Sequence, residues 1–342
     1  MKILQIMAGR RHGGAETYSA DVILALHHAG VDQCVVMHGK APRFVELAAA
    51  GLRMAPEPLA VPFLPWQRLR LAKLVARENP DVIQCWMRRA ASLVPDTPKP
   101  VIGWFGGYYD PAKFGRCTHF AGVTKDIVAH MVKSGVAPGR ATFIPTFPDI
   151  ADAPAVSRIS LNTPPDAKIL LTLSRLHEKK GLDTLLQALA GLPDCVLWMA
   201  GDGPLQKALE ALAAKLGVAA RVKFLGWRTD RAALLRAADI CVLPSRYEPF
   251  GTVILEAWAA RTPLVACASA GPAAHVEDGV TGLLSPVDDA AALRANLRRV
   301  LDDKPLAEQL IAQGHAAYLK TYTREAVTRQ WLAYYRRIAG VS

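Results

Sequence analysis

Two glutamates eight positions apart flank a Pro-Phe-Gly turn in the segment PSRYEPFGTVILEAWAA, residues 244–260. If a helix begins at Thr252, its free backbone N–H groups and that of Gly251 form a site for an anion such as a diphosphate. Glu256 then lies one turn, about 5.4 Å, higher on the same face, where it can accept hydrogen bonds from the vicinal hydroxyls of a ribose. Glu248 precedes the turn and would face a sugar on the other side of the phosphates.

A structural ion pair is the alternative explanation for Glu256. The residue interrupts an otherwise apolar run, and a lone glutamate in such a helix ordinarily pairs with a nearby arginine, here Arg246 or Arg261. Two glutamates around one turn favour a ligand site over this alternative.

A basic loop, SRLHEKKG (174–181), follows an apolar strand and precedes a helical segment. Arg175 could bind a diphosphate through its planar fork, and Lys180 could bind the same group as a point charge. A solvated charged loop explains the pattern equally well, so the loop alone does not define a site.

A glycine-rich turn, HGGAE (12–16), separates the first strand from the first helix. Gly13 and Gly14 would allow the backbone to approach a phosphate or a sugar closely. The turn lacks the G-x-G-x-x-G spacing, and no acidic residue ends the second strand. The sequence therefore carries no dinucleotide fingerprint, which disfavours a nicotinamide-dependent oxidoreductase.

Two further turns follow strands in the second half of the chain. AGDGPL (200–205) favours a tight strand-to-helix connection over a ligand site. FLGW (224–227) could bring its backbone and the Trp227 ring beside a nucleotide base, with a core tryptophan as the alternative.

Apolar strands alternate with helical segments along the chain, which predicts α/β domains with parallel sheets covered on both faces. The predicted strands are KILQIMA, DQCVVMHG, DVIQCW, PVIGWF and HFAGVT, followed by KILLTLSRL, CVLWMAGDG, VKFLGW, ICVLPS, PLVACA and GLLSP. Open parallel sheets bind ligands at the carboxyl ends of their strands, where the motifs above lie.

The alternation breaks in a proline-rich stretch at 144–156, and 342 residues are too many for one ordinary core. We therefore expect two Rossmann-like, doubly wound parallel-sheet domains facing a cleft, at 1–150 and 151–320. The amphipathic helix of 321–342 could pack back on the first domain.

The net charge of +11 is concentrated in residues 1–150, which carry 18 basic and 11 acidic side chains. A basic surface attracts nucleic acids, anionic lipids or phosphorylated substrates. The sequence has neither zinc-finger spacing nor an RNP-type aromatic motif, so it does not indicate a nucleic-acid-binding protein.

Six cysteines are scattered without a C-x-x-C pair and lie mostly in apolar surroundings, which predicts buried, reduced thiols. The initial run MKILQIMAG is too short for the core of a signal peptide, and no stretch approaches the roughly 20 apolar residues of a membrane span. We expect a cytoplasmic protein.

Taken together, the motifs resemble those of the retaining glycosyltransferases of family 4, which have the GT-B fold. The resemblance covers nearly the whole chain and is strongest from about 168 to 290. It rests on GGAE, SRLHEKKG, AGDGPL, FLGW and, most specifically, EPFGTVILE with its E-x7-E spacing.

The resemblance implies that the second domain binds a nucleoside-diphosphate sugar, linked to UDP or GDP, and that the first binds the acceptor. Glu256 would hold the ribose, and Glu248 the hydroxyls of the transferred sugar. The remaining implied donor contacts come from the backbone of Phe250, Gly251 and Thr252, from Arg175 and Lys180 at the leaving diphosphate, and from Gly14 of the first domain.

The chemistry implied is transfer to a hydroxyl of a glycan or lipid-linked acceptor with retention of anomeric configuration. Both glutamates would be committed to donor hydroxyls, so we expect no carboxylate nucleophile. The chain has no D-x-D motif to hold a divalent ion. We therefore expect a metal-independent enzyme without a cofactor.

One stretch departs from the family pattern. Many relatives carry a histidine at the end of the fourth strand, whereas IGWFGGYYDPAKF (102–114) contains none. GGYYDPAKF resembles a subgroup associated with bacterial lipopolysaccharide and cell-surface polysaccharide assembly. Gly106, Gly107, Tyr108 and Lys113 would then line the acceptor side, although a structural turn explains the glycines equally well.

The segment PLAVPFLPWQRLRLAKLVAR (58–77) mixes Phe63, Leu64 and Trp66 with arginines and lysine. Beside the basic first half, this pattern suggests docking on an anionic membrane with a peripheral location. Inward packing of the aromatic residues is the alternative.

Two other functions fit the same architecture. A sugar-nucleotide 2-epimerase would interconvert nucleotide sugars without an acceptor, and a non-catalytic module would bind the donor without turnover. The presence of Glu248, Glu256, Arg175 and Lys180 argues against the silent module.

Overall fold

The computed structural model describes residues 1–9, 14–57, 59, 65–148, 150 and 152–341, and only the backbone of Gly14. The chain divides into two compact units, Met1–Thr146 with Arg324–Ser342 and Phe147–Thr323. The boundaries expected from the sequence, at 150 and 320, differ from these by a few residues.

The first unit contains a seven-stranded parallel sheet of order β3-β2-β1-β4-β5-β6-β7. Its strands are β1 (Lys2–Met7), β2 (Asp32–Met37), β3 (Arg53–Pro56), β4 (Val82–Trp86), β5 (Val101–Phe105), β6 (His119–Gly122) and β7 (Ala141–Phe143). The sequence did not reveal β3 and β7, because these edge strands are four and three residues long and carry no clear apolar pattern.

Helices cover the sheet of the first unit between its strands. They are α1 (Gly14–His28), α2 (Phe44–Ala49), α3 (Pro65–Glu78), α4 (Met87–Leu93) and α5 (Lys125–Lys133). The order of strands reverses between β1 and β4, and the carboxyl ends of strands at such a switch point are the usual ligand-binding edge of a doubly wound sheet.

The second unit repeats this plan with a six-stranded parallel sheet of order β10-β9-β8-β11-β12-β13. The strands are β8 (Lys168–Leu173), β9 (Cys195–Ala200), β10 (Val222–Gly226), β11 (Ile240–Leu243), β12 (Leu264–Cys267) and β13 (Leu283–Ser285). All six were predicted from their apolar runs, which are typical of strands buried on both faces, although β10 is buried only at Val222. The predicted α/β class with two doubly wound parallel sheets is confirmed.

The helices of the second unit surround its sheet. They are α6 (Leu182–Ala190), α7 (Gln206–Lys215), α8 (Arg231–Ala237), α9 (Thr252–Ala260), α10 (Ala270–His275), α11 (Ala290–Asp302) and α12 (Lys304–Thr321). The switch point lies between β8 and β11, which brings the loops after these two strands to the same edge of the sheet.

The last helix, α13 (Arg324–Ala339), belongs to the first unit. The ring of Trp331 is fully buried and lies 5.6 Å from that of Trp86. The Tyr334 hydroxyl donates a hydrogen bond to the carbonyl of Phe120 at 2.9 Å. The end of the chain thus completes the core of the unit in which the chain begins.

In the described part of the chain, no helix combines the length and the apolar character needed to cross a membrane. All six cysteines are free thiols, and five of them are buried.

Candidate functional site

Two loops meet at the switch point of the second unit, one after β8 (174–181) and one after β11 (244–251). The backbone N–H of Tyr247 donates to the carbonyl of Lys179 at 3.1 Å. Gly181 has φ of +59°, and a β-carbon built on it would lie 2.1 Å from the carbonyl oxygen of Pro244. Only glycine allows this approach, so Gly181 joins the two loops.

The meeting of the loops brings two predicted site residues together. The ammonium of Lys180 donates to Oε2 of Glu248 at 2.5 Å, and these side chains are only 18% and 15% exposed. An ammonium has three N–H donors and a carboxylate has about four acceptor sites, so the pair retains capacity for a phosphate oxygen and a sugar hydroxyl.

Arg246 holds both loops to the body of the unit. Its guanidinium donates to both carboxylate oxygens of Asp183 at 2.9 and 2.7 Å, to Oδ1 of Asp288 at 2.6 Å, and to the carbonyl of Glu178 at 2.9 Å. The hydrogen bonds to Arg246 lower the pKa of Asp183, and those to Asp183 raise the pKa of Arg246. Both groups are therefore charged at neutral pH. The sequence suggested Arg246 only as a structural partner of Glu256, not as the residue that joins the two loops.

The Pro-Phe-Gly turn leads directly into α9, as the sequence predicted. Gly251 precedes the helix with φ of +90°, a conformation that favours glycine. The N–H of Gly271 donates to the carbonyl of Glu248 at 2.6 Å, and a β-carbon on Gly271 would lie 2.4 Å from the carbonyl oxygen of Phe250. The N–H of Ile254 donates to the carbonyl of Gly251 at 2.9 Å, which leaves the N–H groups of Thr252 and Val253 at the start of α9 to meet an anion.

Glu256 is 2% exposed and pairs with Arg231, which opens α8 and keeps 41% of its side chain exposed. A buried carboxylate requires such a counter-charge. Arg231 is thus the structural partner of Glu256, in place of Arg246 or Arg261, which the sequence suggested. Arg231 begins α8, a helix that packs on α9. Local sequence does not reveal this packing, so the pair could not be predicted.

Arg175 and Trp227 follow β8 and β10 and are both exposed. At 69% exposure, Trp227 is not a core residue.

The 200–205 turn has a structural explanation, because a β-carbon on Gly201 would lie 1.8 Å from the carbonyl oxygen of Ser174. Among the described residues, no group of three or more His, Cys, Asp or Glu side chains could hold a metal ion.

The four predicted acceptor-side residues all lie in the first unit, between β5 and β6. A β-carbon on Gly106 would clash with the Trp104 ring at 2.5 Å, so this glycine is required for packing. The Tyr108 hydroxyl bonds to Asp126, and Lys113 lies 3.8 Å from Asp110. A β-carbon on Gly107 would lie 3.5 Å from the Tyr109 ring, an ordinary contact distance. Gly13 lies outside the described residues, and Gly14 begins α1.

The chain is similar to proteins that are named as glycosyltransferases. Residues 156–316 match the model of a family described as "Glycosyl transferases group 1". The chain is 32% identical to the lipopolysaccharide core biosynthesis glycosyltransferase LpsE of Rhizobium meliloti, covering 97% of this chain and 98% of LpsE. It is 31% identical to LpsD of the same organism, covering 98% of both chains.

Solved structures share the fold at lower identity. A glycosyltransferase from Rickettsia africae superposes with a TM-score of 0.84 and 17% identity, covering 100% of this chain and 99% of that one. Anabaena HepE in complex with UDP superposes with a TM-score of 0.82 and 21% identity, covering 98% and 99%.

His275 lies directly behind the turn that precedes α9. Its ring packs edge-to-face on Phe250 with 4.4 Å between centroids, and Nδ1 lies 3.2 Å from the Tyr322 hydroxyl. Burial lowers the pKa of His275 from 6.5 to about 4, because the imidazolium is poorly solvated there. The ring is therefore neutral at physiological pH.

We expect Gly181→Ala to destabilise the protein by about 2 to 4 kcal/mol, because the methyl group must separate two backbone segments in addition to adopting a positive φ. Gly217→Ala is a matched control, since Gly217 has φ of +69° with no atom within 4 Å of its added β-carbon. The free energy of unfolding of that control should fall by only about 1 kcal/mol. Calorimetric melting of both variants checks this, and equal losses would show that Pro244 does not constrain Gly181.

The buried His275 should make stability fall as the pH drops from 6.5 to 4. In that window the unfolded chain binds a proton at this position and the folded chain does not, so acid favours unfolding; below pH 4 the effect is complete. At pH 5 the loss is about 2 kcal/mol relative to pH 7.5. Melting at both pH values should show a smaller acid shift for His275→Leu than for wild type. The same change at exposed His28 should leave the acid shift intact, and a full acid shift in His275→Leu would contradict this assignment.

Proposed function

The chain belongs to the group 1 glycosyl transferases, and from this premise we propose that it moves a sugar from a nucleoside diphosphate to a hydroxyl of a lipopolysaccharide core acceptor. LpsE and LpsD of Rhizobium meliloti are named for lipopolysaccharide core biosynthesis, and each matches this chain over nearly its whole length. The donor is linked to UDP or GDP, and the acceptor is a glycan or a lipid-linked glycan.

The contact between Lys180 and Glu248 beside the start of α9 carries this proposal. The free N–H groups at the start of the helix and the ammonium of Lys180 suit the two phosphates of the donor. Glu248 is a hydrogen-bond acceptor adjoining that cationic position, which suits the hydroxyls of the attached sugar. Such an arrangement distinguishes a nucleotide sugar from a free nucleotide.

Glu256 suits the ribose. It lies one helical turn beyond the phosphate position, as the spacing of a nucleotide requires. Arg231 contacts one of its oxygens and so restrains the direction of the carboxylate. Trp227, exposed after β10, offers an aromatic surface for the nucleobase.

In the proposed reaction, the bond between the anomeric carbon and the diphosphate oxygen breaks while the acceptor oxygen bonds to the same carbon on the same face. The acceptor proton passes to the departing diphosphate oxygen. Negative charge grows on that oxygen, and Lys180, Arg175 and the start of α9 stabilise it. These groups supply the stabilisation that a divalent ion supplies elsewhere, so we propose metal-independent transfer with retention.

Two alternatives are less favoured. A sugar-nucleotide 2-epimerase and a non-catalytic module could both use the same donor contacts. The full-length similarity to named transferases favours transfer over either. Interconversion of nucleotide sugars without an acceptor would identify the epimerase, and donor binding without turnover would identify the module.

We further propose that the α3 face docks on an anionic membrane. Trp66 and Leu69 are 41% and 60% exposed, and Arg70 lies 5.7 Å from the centre of the Trp66 ring. Arg68 and Lys73 add positive charge to the same helix. Exposed apolar side chains flanked by cations suit the boundary of an anionic bilayer. Phe63 and Leu64, the other apolar residues of this predicted docking segment, lie outside the described residues.

Substitutions of the two glutamates should have different effects on ligand binding. Glu256→Gln should weaken the binding of free UDP or GDP and of the full donor alike, by about tenfold, because the ribose is common to both. Glu248→Gln should weaken the binding of the donor much more than the binding of the free nucleotide, because its ligand partner is the sugar. Titration calorimetry measures both ligands. Equal losses for both ligands in both variants would show that the glutamates do not have these separate roles.

Transfer should retain the anomeric configuration and should persist in EDTA. A panel of UDP- and GDP-sugars with rough-type lipopolysaccharide as acceptor identifies the donor, and NMR of the product reads its configuration. We expect turnover in EDTA within about twofold of the untreated enzyme, since cationic side chains and the helix start stabilise the leaving group. An inverted product or strict metal dependence would rule out this mechanism.

Membrane docking should depend on charge and on the two exposed apolar side chains. We expect sedimentation with phosphatidylglycerol vesicles at low salt, and little with phosphatidylcholine vesicles, because each basic residue near an anionic surface contributes about 1 kcal/mol. The double variant Trp66→Ala, Leu69→Ala should bind about tenfold less, whereas Trp227→Ala in the other unit should bind normally. Failure of the wild type to bind either vesicle would refute docking.

A further inference from the structure

An unusual feature of the first unit is the three-residue segment 87–89, which directly follows β4. It lies at the switch point of the sheet, where β4 neighbours β1. Met87 has φ of +70°, a left-handed conformation that residues with long side chains rarely adopt. Strained backbone of this kind concentrates at functional sites, where the surrounding structure holds it in place.

Two arginines come immediately after the strained residue Met87. Arg88 and Arg89 follow Met87, and both are exposed. Within the described part of the chain, neither forms an ion pair, and the contact recorded for Arg89 is a long one, 3.4 Å from Nη1 to the carbonyl oxygen of Ala8. The two guanidiniums therefore retain most of their hydrogen-bond donors.

Several other arginines of this unit, although not all of them, are paired with carboxylates. Arg43 pairs with Asp21, Arg53 with Asp32, and Arg116 with Asp96. Two acidic groups near the ligand-binding edge are also engaged. Asp126 accepts from the Tyr108 hydroxyl, and Asp110 lies near Lys113. Glu16, whose carboxylate lies beside Gly9 at the same edge, forms no ion pair with Arg88 or Arg89. Among the described residues, the two arginines thus have no ion-pair partner at the edge where ligands of doubly wound sheets bind.

A rigid base supports this pair. Trp86, the last residue of β4, is 2% exposed and donates to Oε1 of Gln5 at 2.9 Å. Its ring lies 6.1 Å from Tyr18 and 5.7 Å from Trp104. A packed aromatic base holds the following residues in one position, as a binding site for a defined group requires.

We propose that Arg88 and Arg89 bind an anionic group, a phosphate or a carboxylate, carried by the acceptor. The planar guanidinium matches both groups through paired N–H donors. The inference rests on the proposed transferase function and narrows its substrate class to acidic acceptors. The positive charge of the first half of the chain agrees with such a substrate.

The test compares full-length Arg88→Gln, Arg89→Gln and the double variant with Arg140→Gln. Arg140 is an exposed arginine immediately before β7, so it lies at the opposite edge of the same sheet. The acceptor probes are rough-type lipopolysaccharide oligosaccharide, the same oligosaccharide dephosphorylated with hydrofluoric acid, and the same oligosaccharide with its carboxyl groups reduced. Acceptor KM, kcat and calorimetric affinity are measured at low and high salt, and UDP and GDP binding serves as the check of folding.

We expect each single variant to raise acceptor KM about tenfold, with kcat and nucleotide affinity unchanged, since one charge-assisted interaction is lost. Acceptor KM should rise with salt in wild type and in Arg140→Gln, and much less in the double variant. Loss of affinity on dephosphorylation identifies a phosphate, and loss on carboxyl reduction identifies a carboxylate.

Unchanged acceptor KM in the double variant overturns the inference, as does equal affinity of wild type for all three oligosaccharides. Both outcomes leave the proposed function intact if transfer is observed. Absence of transfer from every nucleotide sugar would instead count against the proposed function, and acceptor affinity by calorimetry would still decide the role of the arginines.

Discussion

One close backbone contact governs the candidate donor site. The loops after β8 and β11 meet because Gly181 leaves room for the carbonyl oxygen of Pro244. Neighbouring parallel strands end at the same edge of the sheet, so residues distant in the chain become neighbours there. The contact between Lys180 and Glu248, which are 68 positions apart, depends on this junction.

Charged groups around the junction are organised by pairing. Arg246 connects the two loops with Asp183 and Asp288 on the body of the unit, and Arg231 balances the buried carboxylate of Glu256. Removing one member of a buried pair leaves an uncompensated charge, which is far less favourable than the pair itself. The pairs therefore define the directions of the side chains proposed to meet the donor.

The first unit is organised by aromatic packing. Trp86, Trp104 and Trp331 form a cluster at the end of β4, and α13 contributes to it from the opposite end of the chain. The strained Met87 follows directly from this cluster. This rigid apolar base lies directly before the two arginines that we propose to bind the acceptor.

The sequence by itself determined the α/β class, all six strands of the second unit and the turn before α9, since these depend on local apolar patterns and on glycine and proline. It did not determine β3 and β7, which are short edge strands, or the partners of the charged residues. Glu256 pairs with Arg231, not with Arg246 or Arg261, and Gly106 accommodates the ring of Trp104. Only the tertiary structure decided these contacts, because a charged or bulky side chain meets whichever element the sheet topology places beside it, and local sequence does not encode that neighbour.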